Sequence, residues 1–453
     1  MKEGDKQRHT ASRSFDGGNL DCGSGLLLQI REHLDLLERG ELLEIISSEQ
    51  SVEEDLPAWC RLTENELVSW TKDGNKRSYL VSKGRFTVTD GGQNKTTIPK
   101  SDKLLLRQSD FAKPATGQVK RLEIKPLSVL GIGSWPRPRW LHSYLEQHLE
   151  GKLSDEDFDE IADDAVKLAV LSQLNAGVDL ITDGEQRRDN YASFIGNKLN
   201  GCREIPLLDL LPLVDDPAKF KNELKSLDVP ADRVRHPFVS GELSRKNKIA
   251  VNELKFLQQL SNLPAKIALP GPYLLSRIMW MDCITDKFYK SREALSEKLV
   301  EILREEISDL LEAGAAIVQL DEPVLSEIVF SGEKHNRSFM CGALSERGSA
   351  KDELAFAGKL LNACTKGFPE TRLAMHVCRG NWTPDETAAL SGSYEALLPL
   401  FDSLSIGTLF LEYCTPRAGE IEVLKELKKP FKIGLGCVNP KSSELESVES
   451  ILE

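Results

Sequence analysis

No stretch of this 453-residue chain approaches the roughly 20 consecutive apolar residues that a membrane-spanning helix needs. The first 18 residues are polar and contain no apolar core of a secretory signal. Positive charge is not in excess. The formal net charge is −13, which argues against broad binding to nucleic acid or an anionic membrane. A paired cysteine framework is also absent. Nine cysteines are an odd number, scattered through a large acidic chain, so a reducing cytoplasm is the expected setting. No low-complexity tract and no convincing short repeat stands out. What is present is ordinary for a globular protein, with 40% hydrophobic and 28% charged residues. The length suffices for two domains, one of them large.

The apolar pattern divides the chain into a disordered start over 1–17, a small domain over 18–85, a linker over 86–120 and a large domain over 121–453. In the small domain, Leu26 to Glu38 has helical periodicity and stops at Gly40. Leu42 to Ile46 reads as a buried strand. Ser51 to Cys60 reads as a helix, with Glu54 placed as a capping box requires. Glu66–Trp70 and Ser78–Val81 alternate like a hairpin turned at Asp73-Gly74-Asn75. The order is βαβαββ, a small α+β sandwich. The linker is rich in Gly, Asn, Lys, Thr and Pro and has little apolar periodicity.

From 121 onward, short apolar runs alternate with amphipathic helices, and each run ends in small or polar residues. Ser128 to Ile132 ends at Gly133-Ser134, and Val178 to Thr182 at Asp183-Gly184-Glu185. Lys266 to Leu269 ends at Pro270-Gly271-Pro272, and Ala316 to Leu320 at Asp321-Glu322-Pro323. Leu373 leads to His376 and Cys378, Leu409 to Leu411 ends at Glu412, and Lys432 to Leu435 ends near Cys437-Val438-Asn439. Polar chemistry gathered at strand C-termini is the pattern of a parallel β/α barrel, where the loops after the strands open on one face. A doubly wound open sheet is the rival, but no G-x-G-x-x-G follows the first strand. Seven such strands are counted, with Phe238-Val239-Ser240 as an extra short one. A barrel closes with eight. The preferred expectation is that the last strand is missing from this chain; the other is that Phe238-Val239-Ser240 serves.

Several of these strand ends carry chemistry. His376 and Cys378 are two residues apart, so alternation puts them on one face. An imidazole and a thiolate there can take two corners of a tetrahedral zinc site, or form a half-buried core pair. Glu185 and Asp321 are strand-end carboxylates able to bind an ammonium, or to pair with Arg187 or Arg188. The Gly133-Ser134 turn offers N–H groups and a hydroxyl to a carboxylate. Pro270-Gly271-Pro272 is expected to be a rigid turn. His142, His148, His236 and His335 carry no partner pattern. Cys202, Cys283, Cys341 and Cys364 read as small inert hydrophobes.

In order, Gly131-Ile132-Gly133-Ser134-Trp135-Pro136, Asp183-Gly184-Glu185-Gln186-Arg187-Arg188, Pro270-Gly271-Pro272, Gln319-Leu320-Asp321-Glu322-Pro323, His376-Val377-Cys378-Arg379-Gly380-Asn381, Leu411-Glu412-Tyr413 and Asn439-Pro440-Lys441-Ser442 form a specific set. With it, residues 127–453 resemble the catalytic barrel of the cobalamin-independent methionine synthase family, in its short archaeal-like form. The resemblance implies a zinc-dependent methyltransferase that methylates a thiol, most simply homocysteine to methionine. It implies His376, Cys378 and Glu412 as zinc ligands. It also implies Ile132 and Ser134 at the substrate carboxylate, and Glu185 and Asp321 at its amino group. Lys441 stands where the wider family often has a histidine and is the candidate acid for the leaving group. The implied partners are a homocysteine-like thiol and a methyl donor, either a folate or a methylated corrinoid protein. The family's fourth ligand is a cysteine in an Asn-Pro-Asp-Cys-Gly motif, and the chain ends before one. Cys414 and Cys437 are the substitutes within it.

The small domain resembles the TusA/SirA-like sulfur-carrier family in Leu20-Asp21-Cys22 entering a helix, in the Gly40 to Ile45 strand, and in Asp55-Leu56-Pro57-Ala58-Trp59-Cys60. Gly23-Ser24-Gly25 replaces that family's prolines. The resemblance implies Cys22 as a sulfur-bearing residue, its thiol acidified by a helix N-terminus, and a sulfurtransferase as a possible partner. Two further readings follow: a sulfur relay from a Cys22 persulfide to the barrel, or a non-catalytic scaffold with a broken barrel.

Overall fold

A computed structural model describes residues 9–20, 25–63, 65–86, 124–213, 221, 234–281, 284–330, 348–380, 390–440, 442 and 444–452. The chain forms two compact units. Cys22, Lys441 and the expected linker, apart from Phe86, lie outside the described residues.

The N-terminal unit has the expected βαβαββ order. Its strands are β1 (Arg13–Gly18), β2 (Leu42–Ser47), β3 (Glu66–Asp73) and β4 (Lys76–Ser82), in sheet order β1-β2-β4-β3. β1 and β2 are parallel; β2 with β4 and β3 with β4 are antiparallel. Leu43, Ile45, Tyr79 and Val81 alternate onto one face. That face buries Leu26, Ile30 and Leu34 from the helix Leu27–Asp35 with Val52, Leu56 and Trp59 from the helix Val52–Leu62. Each such fully buried side chain contributes on the order of 1.5–3 kcal/mol. Cys60 belongs to this core. Two expectations need correcting. The start over 1–17 is not wholly irregular, because Arg13–Gly18 is an edge strand beside β2. Ser51 precedes its helix but its side chain makes no capping hydrogen bond.

The second unit is a parallel β/α sheet of five ladder strands. They are β7 (Lys266–Pro270), β8 (Ile317–Asp321), β9 (Leu373–Val377), β10 (Thr408–Glu412) and β11 (Lys432–Gly436), paired in chain order; β5 (Leu199–Pro206) and β6 (Arg235–Arg245) stand apart. Parallel bridges Ile181↔Ala265 and Leu130↔Leu180 extend the sheet to seven strand positions. β7 and β8 are buried along their whole length, as strands covered on both faces are. Helices including Asp155–Ala176, Val251–Leu260, Arg292–Glu312 and Ala350–Thr365 pack against the outer face through the main apolar core.

The sheet curls. Leu130 and Leu180 come from two adjacent strand positions and Ile317, Ala374 and Phe410 from three others beyond β7, yet all five pack as one cluster. Lys266 of β7 places its Nζ 5.2 Å from the ring centroid of Phe410, three strands away. Such contacts across the interior require a barrel-like curvature. No pairing joins β11 to the Leu130 position among the described residues. Phe238-Val239-Ser240 is not a barrel strand: Val239 and Phe238 pair antiparallel with Cys202 and Arg203 in the β5–β6 hairpin.

The turn at Pro270-Gly271-Pro272 is rigid for a visible reason. Glu322 accepts hydrogen bonds from the Tyr273 and Leu274 amides at 2.8 and 2.9 Å. A Cβ on Gly271 would collide with that carboxylate.

Candidate active site

The C-terminal ends of the barrel strands and the loops that follow them hold every described residue of the expected set. The first pair of loops is stitched together by short-range bonds. Thr182 Oγ1 donates to the Gly133 carbonyl at 2.7 Å, and the Trp135 amide to the Gly184 carbonyl at 3.0 Å. Gln186 Nε2 donates to the Trp135 carbonyl at 2.9 Å. Gly133 is required here, because a Cβ would fall well inside 3.0 Å of Glu185 Oε1. Ile132 and Ser134 on either side are exposed and open to a ligand.

Glu185 has φ 55°, a left-handed conformation that costs a non-glycine residue about 1 kcal/mol. That backbone turns a buried carboxylate back toward Gly133. Burial pushes its pKa up to about 7; Arg188 opposes the rise and Asp321 adds to it. Arg188 does not neutralise Glu185 by a direct hydrogen bond. Its Nη2 donates to Glu253 at 2.6 Å and its Nη1 to the Ala268 carbonyl at 2.9 Å, while Glu185 Oε1 stands 3.8 Å away. Arg187 points elsewhere, to Asp163 and Asp159.

A hydrogen-bonded line crosses the barrel interior below this. Lys266 Nζ donates to the Ile132 carbonyl and to Gln319 Oε1 at 2.6 Å. Gln319 Nε2 donates to Asp321 Oδ1 at 2.7 Å. Asp321 Oδ1 also meets His376 Nδ1 at 3.0 Å. Burial lowers the Lys266 pKa to about 8, with Asp321 and Glu185 pulling it back up.

β9 delivers His376 and Cys378 to one face, as the alternation expects. Both are half-buried, and Val377 between them is buried. Burial alone would lower the His376 pKa, but its hydrogen bonds to Asp321 and Cys378 raise it to about 10. In the neighbouring ladder Phe410 pairs with His376 and Leu411 with Val377, so Glu412 ends β10 beside Cys378. Glu412 Oε2 accepts from the Arg379 amide at 2.9 Å, and Cys414 Sγ lies 3.8 Å from Glu412 Oε1. Arg379 is fully buried. It donates to the carbonyls of Glu412, Gly392 and Ala418 at 3.1, 2.5 and 3.2 Å and stacks 4.1 Å from the Tyr394 ring centroid.

Among the described residues no three His, Cys, Asp or Glu side chains converge closely enough to hold a metal ion. Glu412 is turned to the Arg379 amide, while the bond of His376 Nδ1 to Asp321 leaves its other ring nitrogen open. The donor types nevertheless suit a metal: a nitrogen, a sulfur and a carboxylate oxygen on adjacent strand ends.

Sequence reasoning missed Lys266 and Arg379 as contributors, and named Arg188 only as a possible partner of Glu185 or Asp321. Lys266 had a signal, since a lysine opening an otherwise apolar strand must place its charge somewhere.

A family model described as the catalytic domain of cobalamin-independent synthase matches residues 127–453. Similar proteins named methionine synthase include one from Sulfolobus acidocaldarius, 27% identical over 335 residues, covering 73% of this chain and 80% of the relative. Another, from Saccharolobus solfataricus, is 26% identical over 336 residues, covering 74% and 82%. The structure of a B12-independent methionine synthase from Shewanella sp. W3-18-1, in complex with selenomethionine, aligns with TM-score 0.52 and 26% identity over 70% of this chain and 82% of that one. A putative B12-independent methionine synthase from Listeria monocytogenes aligns with TM-score 0.50 and 20% identity over 73% and 86%, which speaks for the fold alone.

Proposed function

The chain belongs to the cobalamin-independent methionine synthase family, and from that premise we propose how its barrel methylates the thiol of homocysteine. Glu185 and Asp321 hold the substrate ammonium between them. Asp183, Glu185, Glu253 and Asp321 gather around this pocket, and carboxylates favour a cationic group. The exposed Ile132–Ser134 turn takes the substrate carboxylate through backbone N–H and hydroxyl donors. An amino acid held at both groups directs its side chain toward His376, Cys378 and Glu412.

Those three residues are the proposed zinc ligands. Their support is the mixed donor set, the ladder register that puts Glu412 beside Cys378, and the Asp321–His376 bond, because a metal-bound histidine commonly gives its second nitrogen to a carboxylate. Zinc, when bound, lowers the pKa of a substrate thiol so that a nucleophilic thiolate exists at neutral pH. The residues of this chain orient that sulfur for in-line attack on the donor's methyl group. A folate donor follows from the family; a methylated corrinoid protein is tested beside it.

The observation that carries this reading is the continuous hydrogen-bonded line from Ile132 through Lys266, Gln319 and Asp321 to His376. It joins the proposed amino-acid pocket to the proposed metal ligands. Elemental analysis tests it: about one zinc per chain is expected, lost on His376→Ala or Cys378→Ala. Undiminished zinc in both variants would contradict the ligand set. A sulfur relay through Cys22 gains no support, because the family match begins at residue 127 and Cys22 is outside the described residues.

A further inference from the structure

We propose that Lys266 is a positioning residue that makes the pocket selective for an amino acid over the same molecule without its amino group. The inference rests on Glu185 and Asp321 forming the ammonium site. It goes beyond that reading by assigning the selectivity to a residue that never touches the substrate.

Lys266 lies fully buried in the barrel interior, above the apolar cluster of Leu130, Leu180, Ile317, Ala374 and Phe410. Its charged end makes two polar contacts, with the Ile132 carbonyl and Gln319 Oε1. The second contact decides the orientation of an amide. An ammonium only donates, so the Gln319 oxygen must face Lys266. The Gln319 NH2 group must then face Asp321, where it donates at 2.7 Å. Without the lysine the amide keeps its bond to Asp321 but loses the contact that anchors its oxygen, so the pair is held at one end only.

The consequence falls on Asp321. Its hydrogen bonds from Gln319 and His376 both land on Oδ1. Among the described residues no bond is made to Oδ2, which is left for a ligand. Lys266 therefore aims that oxygen indirectly. Its charge also faces both Glu185 and Asp321 and offsets part of the repulsion between the two carboxylates. A bystander lysine would stabilise the barrel without distinguishing ligands by their amino group.

The test is calorimetric titration of the full chain with methionine and with 4-(methylthio)butanoate, which is methionine without its amino group. Neither ligand needs a bound metal or a methyl donor. The unaltered chain is expected to prefer methionine by about 100-fold, as a doubly paired buried ammonium implies. Lys266→Met is expected to lose about 10-fold or more of its methionine affinity and to keep its weak affinity for the des-amino compound. Lys266→Arg, which retains charge and donors, should recover part of the loss. Should Lys266→Met fail to fold, Lys266→Gln takes its place with the same expectation. Unchanged methionine affinity, or equal losses for both ligands, overturns the role of Lys266 alone. An unaltered chain that binds the two ligands equally overturns the ammonium site itself, and the proposal with it.

Discussion

Asp321 Oδ1 stands 3.0 Å from His376 Nδ1. One carboxylate thus serves two proposed ends, the substrate ammonium and the imidazole of a metal ligand. A histidine held at Nδ1 keeps its other nitrogen in one tautomer and one direction. Asp321→Asn should lower zinc affinity by roughly 10- to 100-fold and weaken methionine binding as well. Competition with a chromogenic zinc chelator, run beside calorimetry, checks both. A loss confined to methionine would remove the second-nitrogen role.

Gly133 and Glu185 make a similar pair. The carboxylate occupies the space a side chain would need at Gly133. Gly133→Ala should displace Glu185 and raise KM for homocysteine by about 10-fold or more. The turn's φ needs no glycine, so the melting temperature should change little. Steady-state kinetics with a melting curve separates the two effects.

Glu185 also sets a pH dependence. Burial raises its pKa from 4.5 to about 7, against the pull of Arg188 and with the help of Asp321. The group is neutral below that value and anionic above it. Methionine affinity should therefore climb as pH rises through about 7 and level off above. Stability runs the other way. A carboxyl whose folded pKa is raised contributes fully below its unfolded pKa, and the contribution is lost as pH rises through the folded value. Glu185→Gln should raise the melting temperature at pH 8 more than at pH 5, while abolishing selective methionine binding. Melting curves at the two pH values read the first effect and titration the second.

Arg379 is the main brace of the β9 and β10 loops. Its guanidinium joins the carbonyls of Glu412, Gly392 and Ala418, and only a planar fork of donors reaches all three. Arg379→Met leaves those carbonyls without that donor and should cost roughly 3 kcal/mol or more. Arg379→Lys should recover little. Urea unfolding measures both, and the loosened Glu412 should appear as weaker zinc binding.

The barrel and its strand-end residues were legible because each signal is local. An apolar run ending in Asp-Glu-Pro or His-Val-Cys announces its own strand end, and chain order then arranges the seven positions side by side. The contributions of Lys266 and Arg379 were not legible, nor was the bond from Arg188 to Glu253. Lys266 reaches a carbonyl 134 residues away, and Arg188 a carboxylate 65 residues away. No local pattern encodes such partners. The first strand of the βαβαββ order was given no residues, because Arg-Ser-Phe-Asp-Gly-Gly shows almost no apolar alternation. Only pairing with β2 makes it a strand. The zinc reading depended on residue type alone, whereas the structure adds what each donor touches: Asp321 at His376 and the Arg379 amide at Glu412.

The most direct test of the account is methionine formation from homocysteine by the zinc-supplied full chain, with a methylfolate and a methylated corrinoid protein offered in parallel. It should be compared with the same chain carrying His376→Ala and Cys378→Ala together. The account predicts methionine from at least one donor, reduced by about 1,000-fold or more in the double variant. Methionine formed at an undiminished rate by the double variant would contradict it.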